Sequence, residues 1–577
     1  MPNGLAEAHW PGTGPCLFSY NYGDGPYRVE YTDQVDTRWW PWVVLGPKMN
    51  FIDINAVVTA GSGPVTGIQL STRTLNGNQN RYIYLTRGTR LVKVGYDNTN
   101  GTAFDYTVYT AVTTIPERST NIFYTKSANG TEEISILYDD STYDVVTAVG
   151  TPPAADTVST APTQKFRVGG LAGSDAGVTR VAGIGRGTGS INNTVFQNIL
   201  SGSVTMASPN WVSRATIPGE YITPTGFNLD GDVWIIETSN GPYYLNADYA
   251  EFRPMFPEIP NTNNNSPSGA GRWSVLGVIS PYSDGTRLIA GGESRSIGTS
   301  TFPGNYSQAR GTCVAFSADT MWGYWNDYNT TTGYTYICAV RPNLLGDGHD
   351  YPVSFFTLGS SKAFLGLGTD IGGAGGTLAD IESMPVLKVL PPYQQALDDP
   401  VSGWPDQPIG DESYLVGAVS SEAWWAHLTN AAAPWYRDTS TNNSSYRYQT
   451  SGTWYGEARL AEPELDKYVQ YVTIETQFCS TTETITVSLL MDEPNVTTGT
   501  AFSDSEGRAE YHQVGYVIKQ DGVHRLEVPP GETIYGAQIK PRVVMATGSS
   551  GASPIWRNLK VYYTTELRRQ DGLSGRR

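Results

Sequence analysis

The sequence is poor in the residues that build chemical sites. Its 577 residues include 4 cysteines and 5 histidines, with no Cys-x-x-Cys pair and no His-x-x-x-His or His-x-Glu spacing. Those spacings are typical of zinc sites, so the sequence predicts no metal site. It also lacks a Gly-x-Ser-x-Gly nucleophile elbow and the Gly-Lys-Ser/Thr ending of a phosphate loop. We therefore expect no catalytic residue, no cofactor and no metal.

Positive charge and long apolar runs are scarce as well. The chain has 38 Lys and Arg against 55 Asp and Glu, a net charge of −17. Nucleic-acid binding depends on cations that displace counterions, so we expect no nucleic-acid partner. No stretch approaches the roughly 20 apolar residues of a membrane helix, and residues 1–16 lack the regions of a signal peptide. The expectation is a soluble protein without membrane insertion, not exported by the general secretory route.

The few cysteines leave one question open. Four cysteines in a chain of this length do not make a disulfide scaffold, which favours reduced, buried thiols. Cys313 and Cys338 fall on neighbouring predicted strands, so a disulfide between these two is the alternative.

Strand-forming runs and tight turns alternate through the first two thirds of the chain. The clearest hairpin, residues 82–94, turns at Arg87 and Gly88, where glycine supplies the positive φ of such a turn. Similar hairpins recur about every 45 residues, the length of a four-stranded propeller blade. We predict an all-β chain with a β-propeller of about seven blades over residues 36–392; one or two β-sandwiches are the alternative. The aromatic segment 38–44 is a candidate for the closing strand or for a subunit contact.

The remaining segments are predicted from composition and alternation. Residues 1–35 lack periodicity and are predicted to form an N-terminal arm. Residues 393–460 are predicted to be an irregular linker with a short helix at 420–428, where a serine and an acid suggest an N-cap. In residues 461–577 every second residue is apolar within runs such as 484–490, which predicts a jelly-roll-like β-sandwich with one buried face per sheet.

A family resemblance rests on the order of motifs in this last region. Thr453-Trp454-Tyr455 and Asp466-Lys467-Tyr468 come first, and the run from Ser553 to Tyr563 comes last. This order resembles the C-terminal sandwich of propeller-bearing phage tail proteins. The resemblance implies a virion structural protein at the tube end, nozzle, hub or tip of a tail, assembled in the host cytoplasm. Its expected partners are other tail proteins and further copies in a homo-oligomeric ring, with a contribution to host attachment.

Two functional alternatives remain. A tail protein that binds a host-surface glycan or receptor is one, since aromatic rings stack on sugars. A propeller glycosidase is the other, because residues 283–286 resemble the sialidase hairpin box, although the closing Trp is missing and the box occurs once. The candidate glycan or interface aromatics, for which packing in the core is the competing interpretation, are Trp39, Trp40, Trp42, Trp322, Tyr324, Trp325, Trp424 and Trp425.

Overall fold

The structure, a computed structural model, consists of β-strands joined by turns and irregular segments throughout its described part. Between residues 53 and 447 it describes residue 89 and the strands given below. Outside that interval it describes residues 5–12, 29–37, 41–52, 448–457, 465–491, 512–536, 538–548 and 552–567. No helix among these residues is long and apolar enough to cross a membrane.

Five short strands precede the first propeller blade. They are β1 (Ala6–Trp10), β2 (Val29–Asp33), β3 (Val35–Asp36), β4 (Val44–Leu45) and β5 (Asn50–Ile52). Strands β1 and β2 join the C-terminal sandwich, β3 and β4 pair with each other, and β5 joins the propeller. The N-terminal region is therefore divided between the two domains.

Seven four-stranded antiparallel sheets form the propeller blades. The first three contain β6 (Val65–Leu70), β7 (Tyr82–Arg87), β8 (Arg90–Gly95), β9 (Thr110–Thr114), β10 (Ser119–Lys126), β11 (Glu132–Tyr138), β12 (Thr142–Val146), β13 (Asp156–Thr157), β14 (Val168–Asp175), β15 (Val178–Gly185), β16 (Thr194–Ile199) and β17 (Trp211–Thr216). The next three contain β18 (Ile222–Asp230), β19 (Val233–Thr238), β20 (Gly241–Asn246), β21 (Phe252–Pro254), β22 (Arg272–Ser274), β23 (Gly277–Tyr282), β24 (Gly285–Ala290), β25 (Glu293–Ser296), β26 (Arg310–Ser317), β27 (Thr320–Asn326), β28 (Thr335–Val340) and β29 (Val353–Thr357). The seventh joins β30 (Val386–Leu390), β31 (Ser413–Val419) and β32 (Glu422–Leu428) to β5.

The blades close into a ring. The first strand of each blade contacts the first strand of the next, and β30 of the seventh blade contacts β6 of the first. In the seventh blade β5 pairs with β32, so a strand from the N-terminal side completes the last blade. The predicted propeller of about seven blades is confirmed. The predicted closing segment, 38–44, is wrong, because the closing strand is β5.

Blade packing explains an error in the predicted linker. Along β32 the consecutive residues Ala423, Trp424, Trp425 and Ala426 are all buried, which requires cover on both faces of the sheet. The same strand pairs with β31 on one side and β5 on the other. The short helix predicted at 420–428 is therefore wrong. The N-cap signal is local, and burial and pairing with distant strands override it.

The sandwich is built of two sheets, and all of its strands except β1 and β2 follow the propeller in the chain. Its strands are β33 (Ser451–Gly456), β34 (Leu465–Gln477), β35 (Thr484–Met491), β36 (His512–Gln513), β37 (Gly522–Glu527), β38 (Tyr535–Gly536), β39 (Ile539–Ala546) and β40 (Ile555–Leu567). Sheet A has the order β1-β40-β34-β37, with β38 also paired to β34, and sheet B has the order β2-β33-β39-β35-β36. Alternate residues of β35, namely Ile485, Val487 and Leu489, are fully buried, as the alternation in the sequence predicts.

The core of the sandwich lies between the two sheets and is centred on tryptophans. Trp454 of sheet B and Trp556 of sheet A meet edge to face, with ring centroids 4.9 Å apart. Trp10 of β1 belongs to the same buried cluster, and its indole N–H donates to the carbonyl of Glu457 at 3.0 Å. The first strand of the chain is thus part of the core.

This arrangement corrects two of the predicted segments. The arm predicted at 1–35 contributes β1 and β2, the edge strands of sheets A and B. The linker predicted at 393–460 contains two strands of the seventh blade and β33 of the sandwich. The propeller is therefore inserted into a sandwich that the two ends of the chain form together.

The two crossings between the domains are hydrogen-bonded to each other; we call residues 45–49 and 448–450 the neck. Pro47 and Tyr448 form an antiparallel bridge. The Gln449 amide N–H donates to the Gly46 carbonyl at 2.9 Å, and its side-chain amide donates to the Pro47 carbonyl at 3.0 Å. In addition, β2 and β3 contact β29 of the sixth blade. The neck and this contact hold the propeller against the sandwich.

The strand order separates the two cysteines considered for a disulfide. Cys313 lies on β26 and Cys338 on β28, and β27 lies between these strands. Two strand spacings amount to about 9–10 Å, which exceeds the roughly 7 Å limit between the Cα atoms of a disulfide. The expectation that the two cysteines lie on neighbouring strands is wrong. A disulfide between them therefore has no geometric support.

Candidate functional site

The structure places the aromatic candidates chosen from the sequence in three settings. Trp42, Trp424 and Trp425 are buried, with 8%, 1% and 4% of their surface exposed. The prediction that these three residues contact a glycan or another subunit is wrong. Their rings pack in the interior, since large apolar rings gain most from burial. Trp322, Tyr324 and Trp325 lie on β27, and their side chains are outside the described part. Trp39 and Trp40 lie wholly outside it.

A different aromatic group lies on the outer face of sheet A; we call Tyr468, Tyr471, Tyr535 and Tyr562 the tyrosine stripe. Tyr471 stacks on Tyr562 of the neighbouring strand, with centroids 4.5 Å apart and 22° between the ring planes. Tyr468 stacks on Tyr535, with centroids 5.3 Å apart and 12° between the planes. Both pairs are direct register partners. The stripe therefore crosses β40, β34 and β38.

A β-bulge explains why two of these tyrosines share a face. Residues three apart on a regular strand point to opposite faces. The register of β34 against β40 shifts between Val469 and Tyr471, and this irregularity places Gln470 as an additional residue. Tyr468 and Tyr471 consequently both lie on the outer face, whereas Val469 and Val472 belong to the buried core.

A second bulge brings two cations to the same outer face. Asn558 has a positive φ of 54°, which asparagine tolerates better than most residues. The register shifts between Thr473 and Glu475 at this point. Arg557 and Lys560, three residues apart, can therefore both pair with outward carboxylates.

Each cation of this face is matched by a carboxylate. Arg557 donates two hydrogen bonds to Glu475, at 2.6 and 2.7 Å, and its guanidinium lies 4.3 Å from the ring centroid of Trp42. Lys560 lies 2.9 Å from Glu7. Arg525 lies 2.6 Å from Glu527. The face therefore carries three ion pairs and no net charge from these six groups.

The pairing shifts the ionisation of its members. The hydrogen bond from Arg557 is the main cause that lowers the pKa of Glu475, and the same bond raises the pKa of Arg557. Burial alone would raise the pKa of Glu7, but hydrogen bonds from Lys560 and Tyr562 lower it overall. Burial, followed by the hydrogen bond to Glu7, raises the pKa of Tyr562, which remains a neutral donor at physiological pH.

The Glu475–Arg557 pair predicts a pH-dependent contribution to stability. Because its pKa is lowered in the folded state, Glu475 stabilises the fold above its unfolded pKa of about 4.3, and this stabilisation is lost as the pH falls through the folded pKa. At pH 7, Glu475→Gln should lower the unfolding free energy of the sandwich by about 1 kcal/mol. The difference should shrink below about pH 4. Urea unfolding followed by circular dichroism across pH 3–7 measures it.

The control for this experiment is Glu527→Gln on the same face. Glu527 and its partner Arg525 each expose 60% of their side chains, so solvent screening should leave a change near zero at every pH. An equal loss in both variants, or a loss at Glu475 that persists at pH 3, would contradict the assignment.

Further polar features of the sandwich lie among its described residues. Within the described residues, no three His, Cys, Asp or Glu side chains are grouped to hold a metal ion. Burial raises the pKa of the Cys479 thiol to about 11, which leaves it almost entirely protonated at neutral pH and disfavours nucleophilic reactivity. His524 is buried, with Nε2 2.9 Å from the Gln520 carbonyl and Nδ1 3.2 Å from the Tyr516 hydroxyl.

Comparison with known proteins finds likeness in fold alone. No protein-family model and no curated protein sequence matches the chain. Among solved structures, the extracellular domain of BT4673 from B. thetaiotaomicron is similar at 10% identity and a TM-score of 0.40, over 86% of this chain and 60% of that one. YCF48 bound to the D1 peptide is similar at 10% identity and a TM-score of 0.34, over 64% of this chain and 94% of that one. BamB from Moraxella catarrhalis is similar at 8% identity and a TM-score of 0.28, over 45% and 79% of the two chains.

Proposed function

We propose that the chain is a structural subunit of a bacteriophage tail, which acts through interfaces between subunits and not through catalysis. The observation that carries the proposal is the insertion of the propeller into a sandwich formed by both chain ends. Two covalent crossings, bonded to each other at the neck, join the domains more firmly than one flexible linker would. Such a block suits a particle component that must transmit force without bending.

The chemistry of the described residues is consistent with this role. The ion pairs on sheet A are matched within the chain, and burial raises the pKa of the free Cys479 thiol to about 11, which disfavours its reactivity. The motif order of residues 453–563 adds the resemblance to propeller-bearing tail proteins. We place the subunit at the tube end, nozzle, hub or tip of the tail, where it would also contribute to host attachment.

The proposed partners are other tail proteins and further copies of this chain. Repeated head-to-tail contacts between identical subunits are satisfied without free interfaces when they close into a ring. We propose such a homo-oligomeric ring, assembled in the host cytoplasm and retained in the virion.

Mass and shape in solution test the proposal. The purified full chain should elute as a multimer of its 62.7 kDa protomer, with a mass by light scattering that is an integer multiple of that value. Negative-stain electron microscopy should show rings of one symmetry. A monomer at every concentration from micromolar to millimolar, with no association upon mixing with tail tube preparations, would contradict it.

A further inference from the structure

The tyrosine stripe exposes aromatic surface on a face that meets water. Tyr535 alone exposes 54% of its surface, and the other three tyrosines are part-exposed. Most outward positions of a sandwich sheet carry small or charged polar residues, since exposed aromatic rings forgo the gain of burial. Tyrosine is enriched where proteins bind partners, because it offers a large ring with few rotatable bonds.

The rings of the stripe are held in place before any partner arrives. Tyr471 stacks on Tyr562, and the guanidinium of Arg525, on β37, lies 3.8 Å from the ring centroid of Tyr471. Tyr468 and Tyr535 support each other in the same way. A partner that binds here would immobilise few side chains, and this lowers the entropic cost of association.

The charges around the stripe indicate the kind of partner. The three cations Arg525, Arg557 and Lys560 each have a carboxylate within 3 Å. A polyanion would have to compete with these carboxylates, and a polycation would have to compete with the cations. Asp466 and Glu566 are register partners two residues from Tyr468 and Thr564 on the same outer face, and they add negative charge at that end of the stripe. The face therefore disfavours an anionic partner, and the matched pairs leave the rest of it suited to an uncharged one.

The polar groups between the rings indicate more closely which class of uncharged molecule would bind. Gln470 lies between Tyr468 and Tyr471, and its amide lies 3.3 Å from the Thr564 hydroxyl. Aromatic rings beside amide and hydroxyl groups match the two surfaces of a neutral sugar, its C–H face and its hydroxyl rim. A purely apolar partner would leave these polar groups without water or a replacement bond.

From these features we propose that the tyrosine stripe is a binding site for an uncharged oligosaccharide. The site is independent of the proposed ring assembly, because sugar binding by sheet A requires no second copy of the chain. None of its four tyrosines is among the aromatic residues that the sequence singles out.

Binding to defined sugars tests the site. The full chain is titrated calorimetrically with maltotetraose, cellotetraose and mannotetraose as neutral probes, and with tetragalacturonate as the anionic probe. At least one neutral probe should bind, with an affinity that changes less than about twofold between 50 and 500 mM NaCl, since the probe itself carries no charge. Tyr535→Ala should weaken that binding about tenfold or more, because Tyr535 is the most exposed ring of the stripe and aromatic contacts often dominate binding.

The matched control is Tyr516→Ala, which removes a ring of similar exposure, 50%, outside the stripe. It should leave sugar affinity unchanged, and thermal unfolding should verify that both variants fold. Absence of binding by every neutral probe, tighter binding of tetragalacturonate, or equal losses in both variants would overturn the proposal.

The oligomeric mass of the protein is measured on the same samples, which separates this proposal from that of the ring. If Tyr535→Ala dissociates a multimer and no sugar binds, the stripe is a subunit interface. If sugar binds to a protein that is monomeric at every concentration and does not associate with tail tube preparations, the ring proposal fails and the site stands.

Discussion

Deletion of residues 1–12 is expected to unfold the sandwich, although these residues lie more than 400 positions before its main strands. The deletion removes β1, an edge strand of sheet A that pairs with β40 from Ala6↔Tyr563 to Trp10↔Leu559. It also removes Trp10, which is completely buried. Truncation of a buried Trp to Ala costs about 3–5 kcal/mol, a large part of the roughly 5–15 kcal/mol that stabilises a domain.

A graded series of variants measures this effect. Trp10→Ala should lower the unfolding midpoint in urea, and the 1–12 deletion should abolish the cooperative transition of the sandwich. The neighbouring Leu5→Ala is the matched control, because Leu5 is 52% exposed and its truncation should change the unfolding free energy by less than about 0.5 kcal/mol. A truncated chain that unfolds at the same urea concentration as the full chain would show that the N-terminal region is a dispensable arm.

The sequence predicts the blades well because their signals are local. The hairpin of β7 and β8 is found where the sequence predicts it, although Arg87 is the last residue of β7 and pairs with Arg90, so the chain reverses one residue later than the predicted turn at Arg87 and Gly88. The alternation in β35 is equally local, since one face of a two-sheet sandwich is always buried. Both features can be predicted without knowledge of any distant partner.

The strand that closes the ring and the two N-terminal strands of the sandwich could not be predicted, because each pairs with a strand that is far away in the sequence. The closing strand Asn50–Ile52 is three residues long, too short to show a period. Strand β1 alternates apolar and polar residues over only five positions, and its partner β40 lies about 550 residues further along the chain. Pairing over such separations leaves no trace in a local window.

The candidate site also combines features that the local sequence predicts with features that depend on how distant strands pair. The sequence identifies the strands that carry the tyrosine stripe, but it cannot show which tyrosines meet across strands. Regular alternation would place Tyr468 and Tyr471 on opposite faces. They share a face only because of the bulge at Gln470. Tryptophan was the more obvious choice from the sequence, yet burial of Trp42, Trp424 and Trp425 removes those rings from the surface.

The inserted topology leads to the second large expected effect: the sandwich should fold without the propeller, provided that both chain ends are kept. Pro47 and Tyr448 are paired in the neck, so their backbones are close enough for a short Asn-Gly turn to join them. A chain of residues 1–47, Asn-Gly and 448–577 retains all ten strands of sheets A and B. It should be monodisperse, show a β-type circular dichroism spectrum and unfold cooperatively in urea.

The fragment 461–577, which is the sandwich predicted from the sequence alone, is the comparison for the joined chain. It tests whether the N-terminal strands are needed for folding. This fragment lacks β1 to β4 and β33, and with them three tryptophans of the buried cluster, Trp10, Trp42 and Trp454. It should therefore be unfolded or aggregated under conditions in which the joined chain is folded. The two chains differ only in whether the N-terminal strands and β33 are present. If the fragment folds and unfolds like the joined chain, the discontinuous sandwich is wrong; if only the joined chain folds, the propeller is an insertion that the sandwich does not need.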